Sequence, residues 1–104
     1  DVHSLHCALG ESLTEPKANV WFDGGEPWRP GQGLKLDRRT RMMYDSRHVF
    51  INGESFRAAG RDARLVRQLA DERVLDARAL SRLSDQAAEL LQDWTTAGWA
   101  HGTD

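Results

Sequence analysis

Three groups of residues in this sequence have side chains and spacings that invite chemistry. His3, His6 and Cys7 are the only ligand-like cluster. On a helix, His3 and Cys7 fall one turn apart on a shared face, where both could reach one zinc ion. A structural zinc needs four ligands at tight spacing and no fourth stands nearby, so the expectation is packing and no metal. Asp45, Ser46 and His48 supply the residue types of a nucleophile triad. Three members within one short turn cannot form the nucleophile–base–orienter line, so a polar turn is expected there. The third group is a run of arginines: Arg38, Arg39, Arg41 and Arg47, then Arg57, Arg61, Arg64 and Arg67. With Tyr44 and Phe50 interleaved, it has the composition of a phosphate-binding surface, where cations displace counterions and rings stack on bases. The competing reading is a solvated face paired with Asp37, Asp45, Asp62 and Asp71.

These side chains need elements to position them. Residues 2–13 place Val2, Leu5, His6, Leu9 and Leu13 at helical spacing. Pro16 ends that pattern, because a residue before proline avoids the helical region. "ANVWF", 18–22, is expected as a short strand. "DGGEPWRPGQG", 23–33, is rich in Gly and Pro and reads as a linker or surface loop with Trp28 docked on the body. "LKL", "TRMMY" and "HVFI" read as strands. Asn52-Gly53 then turns the chain into "ESFRA", since both central residues of a type I′ turn need positive φ. A two-residue turn sets Ile51 opposite Glu54, Phe50 opposite Ser55 and Val49 opposite Phe56. Val49, Ile51 and Phe56 then share the core face, and His48, Phe50 and Arg57 the other.

Helical patterns follow. Residues 60–73 carry the stripe Leu65, Val66, Leu69 and Ala70. Asp76 is an N-cap for a short helix, 77–82. Ser84 caps a third helix, with Ala87, Leu90, Leu91 and Trp94 inward and Gly98 at its end. "WAH" is expected as a last strand. Antiparallel hairpins plus three helices, behind a helical tail and a linker, make an α+β, winged-helix-like domain. The expected boundaries are a helical tail at 1–15, a linker at 16–34 and the winged-helix-like domain at 35–104.

The 104 residues suit one small domain. Cys7 alone excludes an internal disulfide and points to a reducing, cytoplasmic setting. No run approaches the ~18 apolar residues of a membrane span. The net charge of −2 is unevenly placed. Residues 35–67 are basic, whereas residues 68–104 balance seven acids against Arg73, Arg78 and Arg82. A helix-turn-helix reads DNA with its second helix, yet the segment 85–97 carries Asp85, Glu89 and Asp93 and no Lys or Arg. This acidic ridge argues against DNA and for contact with a basic protein.

The stretches "LGESLTEPKANVWF", "RMMYDSRHVFINGESFRA" and "LLQDWTTAGWAHG" resemble the C-terminal part of bacterial cupin-type JmjC ribosomal oxygenases. These are iron(II)- and 2-oxoglutarate-dependent enzymes that hydroxylate an arginine of a ribosomal protein. The resemblance implies that residues 1–15 end a dimerisation region upstream and that residues 35–102 form the winged helix. It implies iron(II) and 2-oxoglutarate in the parent protein and neither in this chain, which has no His-x-Asp motif. The expected role is that of a non-catalytic accessory domain, part of a longer protein. It would contact its own catalytic domain, a second subunit or a basic ribosomal protein. The alternative is a winged-helix nucleic-acid-binding module.

Overall fold

The structure, a computed structural model, describes residues 2–18 and 20–104, the His3 side chain excepted. Helix α1 spans Val2–Thr14. Strands β1 (Gly33–Leu36), β2 (Met42–Tyr44), β3 (His48–Ile51) and β4 (Glu54–Arg57) come next. Helix α2 (Gly60–Glu72), strand β5 (Val74–Leu75), helices α3 (Ala77–Leu80) and α4 (Asp85–Thr96), and strand β6 (Ala100–Thr103) complete the chain. Two antiparallel sheets result, one in the order β5-β1-β6 and one in the order β2-β3-β4. This is the α+β arrangement read from the sequence.

Local signals explain most elements. Asp76 accepts a hydrogen bond from the Ala79 N–H at 2.7 Å, and Ser84 Oγ one from the Ala87 N–H at 3.1 Å, so both expected caps form. Asn52 and Gly53 take φ of 48° and 88°. The hairpin register is the expected one: Ile51 pairs Glu54, Phe50 pairs Ser55 and Val49 pairs Phe56. Val49 and Ile51 are buried, and Phe56 meets Trp94 edge to face at 5.7 Å between centroids. Helix α2 stops one residue before the expected end because Arg73 adopts the left-handed conformation, φ 66°. Its guanidinium donates to the carbonyls of Asp37 (2.8 Å) and Thr40 (3.0 Å), which ties the α2 end to the β1–β2 connection.

Three features differ from the sequence reading. Residues 18–22 form no strand among the described residues, because no neighbouring strand offers a ladder. Trp21 is exposed, while Phe22 packs between Trp99 and the Arg39 guanidinium. The two-residue β5 was not expected; it exists because β1 needs a partner on the edge opposite β6. The outer face of β2-β3-β4 is also covered. Helix α1 crosses it with Gly10 against Phe50, which is only 2% exposed.

The loop at 23–33 packs tightly despite its composition. Trp28 is buried in the core, its backbone N–H donates to Thr95 Oγ1 at 2.7 Å, and its ring Nε1 donates to the Gln32 carbonyl at 3.0 Å. Gly25 N–H donates to the last turn of α4 at the Thr96 carbonyl.

Candidate protein-contact surfaces

Helix α4 sits in the core through Leu91, Trp94 and Thr95 and presents its other side to solvent. Asp85, Glu89 and Asp93 are all exposed there and form one ridge, being four residues apart on a helix. No described cation pairs with them. Ala87 and Leu90, expected inward, are half-buried, and Thr95 takes a core position that the apolar pattern could not reveal.

The Asn52-Gly53 turn is not a free wing tip. The Gly53 N–H donates to Thr14 Oγ1 at 3.0 Å, and that hydroxyl in turn donates to the Gly10 carbonyl at 2.9 Å. Asn52 is buried and its Oδ1 accepts from the Arg41 N–H at 3.0 Å. The end of α1 therefore covers the turn that a wing would offer to a nucleic acid.

The rings interleaved with the arginines are not free to stack on bases. Phe50 lies under α1, and the Tyr44 hydroxyl donates to Asp71 at 2.8 Å while Arg67 lies over its ring at 5.8 Å. Of the four acids expected to pair with arginines, Asp37 does so, with Arg39. Asp71 takes Tyr44, Asp62 takes Ser84, and Asp45 takes backbone.

Asp45, Ser46 and His48 form the polar turn. Asp45 Oδ1 accepts from the Arg47 and His48 N–H groups at 2.8 and 2.7 Å, and His48 Nδ1 is 3.6 Å away, outside hydrogen-bond reach. Burial opposes ionisation of Asp45, but the two N–H donors outweigh it and hold its carboxyl below the usual range. The His3 side chain of the His3–His6–Cys7 cluster lies outside the described residues. His6 is exposed, and Cys7 is half-buried. Among the described residues no group of three or more His, Cys, Asp or Glu is placed to hold a metal ion. An iron centre of the two-histidine, one-carboxylate kind therefore does not fit the described side chains.

Two features go beyond the sequence reading, which paired Asp37 with an arginine but foresaw neither its burial nor its histidine partner. Asp37, buried between β1 and β2, accepts from Arg39 Nε at 2.8 Å, Arg39 Nη2 at 3.1 Å and the Arg39 N–H at 2.9 Å. His101 Nε2 lies 2.8 Å from Asp37 Oδ2. The Arg39 bonds chiefly, with help from His101 and against burial, hold the Asp37 carboxyl well below the usual range. The cluster pins the β1–β2 connection to β6. Asp37 and Arg39 are two apart in sequence, a visible Asx-turn spacing, but His101 arrives from 64 residues away and gives no local signal. The second feature is the direction of α1. Its expected stripe faces solvent, with Val2, Leu5, Leu9 and Leu13 between 52% and 69% exposed. Gly10 and Thr14 instead meet the sheet, and Glu11 Oε2 accepts from Ser55 Oγ at 2.5 Å.

With this geometry in place, a family model described as ROXA-like winged helix matches residues 3–101. The chain belongs to the ROXA-like winged helix family. A search of curated proteins finds no match. Solved structures agree on the fold. The ribosomal oxygenase YcfD from Escherichia coli superposes with a TM-score of 0.78 at 17% identity, over 98% of this chain and 31% of that one. A second YcfD structure gives 0.72 at 21% identity, over 90% and 29%. A third, in complex with cobalt and 2-oxoglutarate, gives 0.71 at 18% identity, over 92% and 29%. The chain thus spans just under a third of the length of the structures it matches, and the resemblance read from the sequence holds at the level of the winged-helix domain. As a member of this family the chain has the form of an accessory domain. No helix among the described residues is long and apolar enough to cross a membrane.

Proposed function

We propose that this ROXA-like winged helix is the non-catalytic C-terminal domain of a cytoplasmic iron(II)- and 2-oxoglutarate-dependent ribosomal protein hydroxylase, and that it works by protein contact. The observation that carries the reading is the α4 surface. The helix that would enter a major groove presents Asp85, Glu89 and Asp93 and no cation, and like charges repel phosphate. The same ridge attracts a Lys/Arg-rich segment, such as a ribosomal protein supplies. The apolar stripe of α1 serves a different contact, with the rest of the enzyme or a second subunit. An exposed row of four large apolar side chains costs solubility unless a partner covers it.

The test titrates the labelled chain with a basic ribosomal-protein peptide and with duplex DNA. The peptide should shift the amides of 85–96 more than those of 38–47. The triple change of Asp85, Glu89 and Asp93 to Lys should abolish that shift while the fold persists. Duplex DNA should bind no tighter than ~10⁻⁴ M at physiological salt. Micromolar DNA binding through α4 would instead establish the nucleic-acid-binding module that the arginines alone would suggest.

A further inference from the structure

A groove of about 1060 Å³ runs between the end of the β3–β4 hairpin, α2 and α4. Its floor is apolar: half-buried Phe56, Ala58 and Leu90 form the surface that remains accessible, over the buried Ala63, Val66 and Leu91. One rim is cationic: Arg47, Arg57, Arg64 and Arg67 all line it. Arg67 is partly engaged, donating to the Ser46 carbonyl at 3.3 Å. The guanidinium groups of Arg47, Arg57 and Arg64 have no hydrogen-bond or ion-pair partner among the described residues. The one acid in the lining, Asp62, is spent: its oxygens accept from Ser84 N–H at 3.0 Å and Ser84 Oγ at 2.6 Å. The groove thus combines unpaired positive charge with a partly exposed apolar strip of Phe56, Ala58 and Leu90.

The opposite rim has the opposite sign. Gln86 and Leu90 of α4 line the groove, and at about 100° per residue Glu89 and Asp93 fall beside them on the outer side. A ligand charged on all sides would meet repulsion from that rim. A ligand charged along one edge and apolar along another would not. We propose that this groove docks an acidic, amphipathic protein segment, with its leucine- or phenylalanine-like side chains along the floor and its carboxylates against the arginine rim. The pairing suits arginine, whose planar fork binds a carboxylate through two hydrogen bonds. Single-stranded RNA meets the arginines too, but needs exposed ring faces for stacking, and Phe56, the floor's one aromatic ring, is half-buried with its ring against Trp94. The acidic ridge bounds this groove on its far side, and the arginine rim takes a partner of opposite charge from the one the ridge takes.

The experiment measures anisotropy of a short labelled peptide, with Leu at helical i, i+4 spacing and Glu on the flank, against the 104-residue chain. The same peptide with Gln in place of Glu and a single-stranded RNA of equal charge serve as competitors. The expected result is saturable binding, weakened at least about tenfold by the Arg57→Glu, Arg64→Glu double variant, poor competition by both competitors, and no change in Arg29→Ala, an exposed arginine outside the groove. Both arginines are exposed, so the double variant should keep the circular dichroism spectrum and melting midpoint of the parent. Absence of peptide binding, equal binding by the folded double variant, or displacement of the peptide by RNA would each overturn the proposal.

Discussion

Asp37 shows how one buried carboxylate can join two segments distant in sequence. It is 7% exposed, with Oδ1 accepting from Arg39 Nε and the Arg39 N–H, and Oδ2 facing both Arg39 Nη2 and His101 Nε2. Replacing it by Asn keeps the shape but leaves cationic donors facing a neutral amide. Asp37→Asn should cost about 1.5–3 kcal/mol, the range for hydrogen bonds to charged groups, read from urea melts at pH 7. The acid limb follows from the same contacts. The folded-state value lies below the unfolded one, so in acid the unfolded chain binds more protons and stability rises with pH. The contribution is complete above the usual carboxylate range, near ~4, and is lost as pH falls below it. The parent should lose stability through that window, and the Asn variant should lose measurably less. In "LKLDRRT" only the Asx-turn spacing of Asp37 and Arg39 is local; the histidine that completes the cluster stands on β6, 64 residues away.

At the scale of elements, caps, turns and strand register were legible because their signals are local. Asp76, Ser84 and Asn52-Gly53 each act on backbone within three residues. The direction of α1 was not legible, since the rule that an apolar stripe faces the core assumes that the core belongs to the same domain. Here glycine, not leucine, makes the contact. A Cβ on Gly10 would stand 2.6 Å from the Phe50 ring, so the helix must lift to admit it. In an ordinary helix Gly→Ala gains up to ~1 kcal/mol. Gly10→Ala should reverse that sign, costing roughly 1–3 kcal/mol as overpacking does. Hydrogen exchange at the Gly53 amide should quicken with it, because lifting α1 removes the Thr14 acceptor. Unchanged exchange would mean that α1 does not clamp the turn. Ser55, which the alternation alone marks as a surface position, is tied to Glu11 for the same reason.

The whole molecule behaves as one body. Its radius of gyration of 13.1 Å is close to the ~13 Å of a compact 100-residue domain, which leaves no room for a detached linker. Composition alone marked 23–33 as loop, and loop it is, but Trp28 anchors it between β1 and α4. Trp28→Ala should therefore cost about 3–5 kcal/mol, typical of a large aromatic lost from a core. Set against the 5–15 kcal/mol that holds a small domain together, this variant should melt far below the parent in calorimetry. A shift of only a degree or two would show that the loop is ornamental. The sequence pattern could identify the tryptophan as docked, though not where, because long-range packing leaves no periodic trace. The surfaces divide by charge at this scale as well: an acidic ridge on α4, an arginine rim across the groove from it, and an exposed apolar stripe on α1 suit different partners.

The clasp of Thr14 on Gly53 also bears on how the protein ages. Asn-Gly is especially prone to deamidation, since the glycine nitrogen attacks the asparagine side-chain carbonyl, expels ammonia and closes a succinimide that water opens to aspartate or isoaspartate. Here that nitrogen is engaged with the Thr14 hydroxyl and the asparagine side chain is buried and bonded to the Arg41 N–H. The reaction must wait for α1 to fray, so its rate becomes a slow chemical clock of local opening. On storage, Thr14→Ala should accumulate isoaspartate at position 52 faster than the parent, as peptide mass spectrometry would record. Equal rates would mean that burial of Asn52, and not the helix end, protects the turn.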